Sequence, residues 1–127
     1  MKLEPNIYVR TKDGIIAKVD YIDDDTIFFD KELYKTYGDS INFLEKDKLE
    51  RIVKASYNII DLIEEGDILE VFSDLHDLLG NDVFRVRDEN HLKHLKHGFD
   101  KGYFHLISIV TKEQFEQRSY KIIGDDK

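Results

Sequence analysis

The chain has no cysteine. That absence removes disulfides, thiolate zinc sites and cysteine nucleophiles together, and it fits a reducing compartment. No apolar run approaches the roughly 20 residues of a membrane-spanning helix. The opening Met1-Lys-Leu-Glu-Pro5 lacks the apolar core of a signal peptide. A cytoplasmic protein without membrane association is therefore expected. No Gly-rich phosphate loop, nucleophile elbow or HExxH helix is present. Asp61, Glu64, Glu65 and Asp67 lie close enough in sequence to offer a carboxylate pair for acid and base work. Charges on an exposed helix end are far commoner, and no enzyme is expected.

Positive charge is also scarce. The formal net charge is −8, and it is unevenly spread. Residues 1–56 carry 10 basic and 12 acidic side chains, net −2; residues 57–90 carry 2 and 10, net −8; residues 91–127 carry 7 and 5, net +2. The middle segment holds the whole imbalance. An acidic chain is a poor general binder of DNA or RNA, because neutralisation of phosphates by Lys and Arg supplies most of that affinity.

What remains is 127 residues, enough for one domain, or two very small ones, and enough to bury a core without staples. Ile7 to Arg10 is a short β-type run, and Lys12-Asp13-Gly14 a strong turn. Ile15 to Ile22 and Thr26 to Phe29 read as strands around the Asp23-Asp24-Asp25 turn, giving a meander with hairpin spacing. The three aspartates lack the spacing of a calcium loop. Ser40 to Leu44 reads as a fourth strand. Leu49, Ile52, Val53, Ile59, Ile60 and Ile63 then fit helical spacing, with either a helix from about Lys46 to Ser56 and a turn near Ile60 or a single longer helix.

Asp67 to Phe72 reads as a strand. Ser73 to Gly80 resembles a short helix with Ser73 as N-cap and Gly80 just past its end. Val83 to Arg87 alternates like a strand. Residues 88–102 are polar and read as a looped excursion containing a helical turn. Tyr103 to Val110 is the most apolar strand, Thr111 caps a short helix, and Ser119 to Ile123 is a last strand.

Asn58-Ile-Ile-Asp-Leu-Ile-Glu-Glu-Gly-Asp67 sits at a junction. Before it, Leu44, Lys46, Asp47, Leu49 and Glu50 align with Val110, Lys112, Glu113, Phe115 and Glu116 after it. Two similar endings suggest two β-rich halves, 1–56 and 57–127, the second with the His-rich excursion at 88–102. The expected class is α+β and mostly β. It takes the form either of two SH3-like half-barrels, which close by pairing a terminal strand after a helical turn, or of one curled antiparallel sheet with short helices. The expected core is Ile7, Val9, Ile15, Val19, Ile27, Phe29, Phe43, Leu49, Ile52, Ile68, Val71, Phe84, Phe104, Leu106, Ile109 and Phe115.

Val9-Arg-Thr-Lys-Asp-Gly-Ile-Ile16, Asn58 to Asp67, and Ser108-Ile-Val-Thr-Lys-Glu-Gln-Phe-Glu116 form a set. Together they resemble small accessory proteins encoded by phages and prophages of low-GC Gram-positive bacteria. The resemblance brings no catalytic residues. It implies a binder or inhibitor of a host protein, a group that includes anti-CRISPR proteins.

Three functions compete. In the first, the acidic segment is a protein-binding surface in which Asp61, Glu64, Glu65, Asp67, Glu70, Asp74 and Asp77 face a basic partner groove and stand in for phosphates. In the second, Lys93, Lys96 and Lys101 with neighbouring histidines bind nucleic acid. In the third, the two halves give a structural component that self-associates as a homodimer. Separately, His91, His94 and His97 share one helix face at i, i+3, i+6, with His105 downstream. A carboxylate from Asp88, Glu89 or Asp100 would complete a zinc site with these histidines. The competing readings of this segment are a solvated loop and a pH-dependent surface.

Overall fold

The structure is a computed structural model that describes residues 2–30, 40–73 and 80–117. The chain is α+β and mostly β, and it divides into two compact units with the boundary after Leu62. The sequence placed that boundary at 56/57.

The N-terminal unit is a five-stranded antiparallel sheet in the order β4-β3-β2-β1-β5. Its strands are β1 (Tyr8–Thr11), β2 (Ile16–Ile22), β3 (Thr26–Phe29), β4 (Phe43–Glu45) and β5 (Ile52–Ser56). Thr11 ties the first turn together, its backbone N–H donating to Ile15 O at 2.9 Å while its Oγ1 accepts from Ile15 N at 3.0 Å. The Asp23–Asp25 turn is exposed and held by Asp23 N donating to Thr26 O at 2.8 Å. Ile7, Val9, Ala17, Val19, Ile27, Phe29, Leu44 and Ile52 form the core. Arg10 is fully buried beside it, and its Nη1 donates to Leu62 O at 2.9 Å across 52 residues of chain.

The helix expected from Lys46 to Ser56 is not formed. Lys46–Arg51 is a 3₁₀ turn, and Ile52–Ser56 is β5, paired antiparallel with β1. Leu49, expected in the core, is 40% exposed. The β-branched Ile52 and Val53 serve a strand, and β1 offers an unpaired edge whose hydrogen bonds a helix could not satisfy. A terminal strand on β1 after a helical turn is the pairing that the half-barrel reading required. β4 and β5 remain the outer strands of an open sheet.

The C-terminal unit has a three-stranded antiparallel sheet in the order β7-β6-β8, from β6 (Ile68–Ser73), β7 (Gly80–Arg85) and β8 (Phe104–Val110). Between β7 and β8 runs α1 (Glu89–Lys101). The two units thus differ in strand number and order among the described residues. Their similar endings do share local structure: a strand, then a short helical segment, at Lys46–Arg51 and at residues 112–117. Thr111 caps the second as expected, its Oγ1 accepting from Gln114 N at 3.4 Å. Ser73 and Gly80 are paired strand ends and not helix caps. The rest of that expected helix, residues 74–79, and the expected strand Ser119 to Ile123 lie outside the described residues.

Residues 88–102 are a core element, not an excursion. Asp88 caps α1 by accepting from His91 N at 2.8 Å, and Gly102 ends it at φ 74°, the left-handed geometry that glycine takes without strain. Leu92, Leu95 and Gly98 are buried. Core expectations also fail by one residue in two strands. Leu44 is buried and Phe43 is 55% exposed; Leu69 is buried and Ile68 only partly so. A slip of one residue exchanges the two faces of a strand. Phe115 is 39% exposed, with the Arg85 guanidinium 5.1 Å from its ring centre.

Candidate functional site

The described acidic residues singled out in the sequence differ in burial and in their hydrogen-bond partners. Asp61, in the N-terminal unit, is exposed and accepts from Ser56 Oγ at 2.6 Å. Asp67 is fully buried, which removes it from any docking face. Its carboxylate accepts from Glu64 N at 2.8 Å and from Lys112 N at 3.0 Å, tying the 64–67 turn to the first turn of the helical segment that starts at 112. Backbone donors at a helix start suit a carboxylate. Glu64 pairs with Lys112 Nζ at 3.2 Å. Glu70 accepts from Asn81 Nδ2 at 3.1 Å and from Ser108 Oγ at 3.3 Å. Of this set in the C-terminal unit, only Glu65 stands exposed among the described residues. Asp74 and Asp77 lie outside them.

The histidines also separate. His91 is half-buried in the first turns of α1, its Nδ1 accepting from Arg87 N at 3.0 Å and its ring 5.5 Å from that of Phe84. His94 and His97 are exposed, and the ring of His97 meets Tyr103 edge-on at 6.3 Å. His105 is exposed on β8 opposite Phe72. No three His, Asp or Glu side chains converge on a common point among the described residues.

The sequence reading missed a strip of aromatic side chains on the outer face of the N-terminal sheet. Phe28 on β3 is paired with Tyr21 on β2 and with Phe43 on β4, so three aromatics cross three strands in a row. Tyr21 and Phe28 stack at 4.6 Å with 16° between ring planes. Tyr21 is 52% exposed. A β-bulge aims it outward: the register shifts between Val19 and Tyr21, inserting Asp20, so Val19 faces the core and Tyr21 does not. The strip floors an open cleft of about 530 Å³ whose rim carries Asp20, Asp30 and Asn42. Contiguous exposed aromatics are uncommon on a surface that has no partner. On the same strand as Tyr21, Lys18 places its Nζ 5.7 Å above the centre of the Tyr8 ring on β1.

One signal for this strip was available. Phe28 and Phe29 are adjacent on a strand, and alternation forces one of the two outward. Asn42-Phe43-Leu44 poses the same choice.

A larger concavity, about 620 Å³, opens in the C-terminal unit against α1, with Val71, Phe84, Leu95 and Phe104 as apolar walls. Its described lining sets one carboxylate, Asp82, against two guanidinium groups, Arg85 and Arg87, with His91 beside them, so its charge leans positive. No helix among the described residues is long and apolar enough to cross a membrane. No protein-family model, curated protein or solved structure matches this chain.

Proposed function

We propose that this chain is a non-catalytic protein-binding module that docks a basic partner on the outer face of its N-terminal sheet. The supporting observation is the strip Tyr21, Phe28 and Phe43 with carboxylates at its rim. Aromatic side chains supply large contact area at low entropic cost and dominate interface energetics. The rim carboxylates favour a partner of opposite sign. The resemblance to phage accessory proteins makes a host nucleic-acid-binding protein the natural basic partner, with inhibition as the outcome.

The test compares capture from host lysate by the native chain and by a Tyr21→Ser, Phe43→Ser variant. Capture of basic proteins that weakens with salt and is lost in the variant is expected. Both side chains are more than half exposed, so the variant should keep its melting temperature. Unchanged capture by a folded variant would remove this face as the docking surface. The basic face of α1 carries the second reading, nucleic-acid binding, since Lys93, His94, His97 and Lys101 are all exposed on one helix. A steep fall of probe binding with salt would favour it, and no binding at low salt would end it.

A further inference from the structure

We infer that the concavity against α1 in the C-terminal unit is a binding site for a small organic acid, its carboxylate held by Arg87 and His91 and its apolar body laid between helix and sheet. This site is separate from the docking face on the N-terminal sheet and does not depend on it. Its volume of about 620 Å³ suits one small molecule. Each of β6, β7, α1 and β8 contributes one apolar side chain to the walls: Val71, Phe84, Leu95 and Phe104. Such walls take up an apolar body, and the polar groups fix which way round it lies.

Donors gather at one end of the cavity. The backbone N–H of Arg87 donates to His91 Nδ1 at 3.0 Å. In the neutral ring this puts the proton on Nε2, so the imidazole offers an N–H as its second group. The same bond makes Arg87 and His91 neighbours, and both line the cavity. A guanidinium fork and one imidazole N–H together suit the two oxygens of a carboxylate. Arg85 also lines the cavity, but its guanidinium already lies 5.1 Å from the Phe115 ring centre, so Arg87 and His91 carry the inference. Asp82 stands opposite Val71, five residues before Arg87, and both charged side chains are exposed. Five residues of extended chain span about 17 Å at roughly 3.3 Å each. That exceeds the roughly 8–10 Å over which exposed charges act at physiological salt.

The test is an NMR titration of the whole chain, following the ring signals of Phe84, His91 and Phe104. The probes are naphthaleneacetate, naphthaleneacetamide, naphthylmethylammonium and acetate. Naphthaleneacetate should give saturable shifts. The amide, equal in shape but uncharged, should bind roughly three- to tenfold more weakly, and acetate should give no saturable shift. Arg87 is exposed, so Arg87→Gln should keep the fold, and it should remove the advantage of the acid over the amide. Equal binding of acid and amide to the native chain would overturn the inference, as would an undiminished preference for the acid in Arg87→Gln. Tighter binding of the ammonium than of the acid would overturn it too and give the cavity to a cation. No saturable shift with naphthaleneacetate would overturn it as well.

Discussion

At the scale of single residues, the tightest constraint is Gly98. A Cβ there would stand 2.2 Å from Phe104 Cζ and 2.5 Å from its Cε1. The Phe104 ring is itself edge-on against Phe99 at 4.8 Å, so relieving the clash means breaking that contact. Alanine gains about 1 kcal/mol of helix propensity over glycine, but overpacking of this kind costs roughly 1–3 kcal/mol. Gly98→Ala should therefore destabilise the unit by about 1 kcal/mol in denaturant titration. Adding Phe104→Leu should recover part of that loss, which a backbone effect would not allow. Asp67 is the second such residue. Asp67→Ala leaves Glu64 N and Lys112 N without their acceptor, at a cost of roughly 2–4 kcal/mol for two lost buried bonds, read as a lower melting temperature.

Tyr57 offers a third test at this scale. Its hydroxyl donates to the Glu4 carboxylate, which raises the phenol above its ordinary pKa, with burial and the Glu4 charge adding in the same direction. The bond therefore stabilises the fold below the ordinary tyrosine range and loses that contribution as pH rises through the raised value. In ultraviolet titration, Glu4→Gln should move the Tyr57 step down. An unmoved step would show that the pair does not persist in solution.

At the scale of elements, turns were legible and faces were not. The β1–β2–β3 meander could be read because Lys12-Asp13-Gly14 and Asp23-Asp24-Asp25 punctuate it. The segment from Lys46 to Ser56 misled because Leu49, Ile52 and Val53 fit helical spacing, while the decisive fact was the open edge of β1, which local sequence cannot display. α1 was hidden by its composition: His and Lys crowd the outer positions, although Leu92, Leu95 and Phe99 keep helical spacing at i, i+3, i+7. The bulge at Asp20 breaks alternation, so Tyr21, Phe28 and Phe43 could not be gathered into one face from their spacing. Phe115 shows what a wrong face costs a prediction. A fully buried ring would lose roughly 3–5 kcal/mol on truncation. Exposed and covered on one side by Arg85, it should lose at most about 1 kcal/mol in Phe115→Ala, the scale of an exposed cation–π contact. A loss of 3 kcal/mol or more, on the scale of buried-ring truncation, would mean that the ring is buried in solution.

At the scale of the whole molecule, the division after Leu62 makes a prediction about autonomy. The N-terminal unit contains both partners of each of its strand pairs, and β1 is flanked by β2 and β5 within it. Its eight-residue core draws on all five strands. A long-range bond of its buried guanidinium, Arg10 Nη1 to Leu62 O, also closes within residues 1–62. A chain of this size buries only about 60% of its unfolded surface and is marginal, yet many domains of 55–65 residues fold alone. A fragment ending after Leu62 should therefore give dispersed amide signals and a cooperative, shallow melting transition. Removing the Arg10 bond with Arg10→Leu separates two causes of that marginality. If the guanidinium serves chiefly to clamp the Ile59–Leu62 turn, the fragment should lose cooperativity in its last turn and keep the sheet. Collapsed amide dispersion in the unmodified fragment would mean that the sheet depends on chain beyond Leu62, and that the two units fold as one.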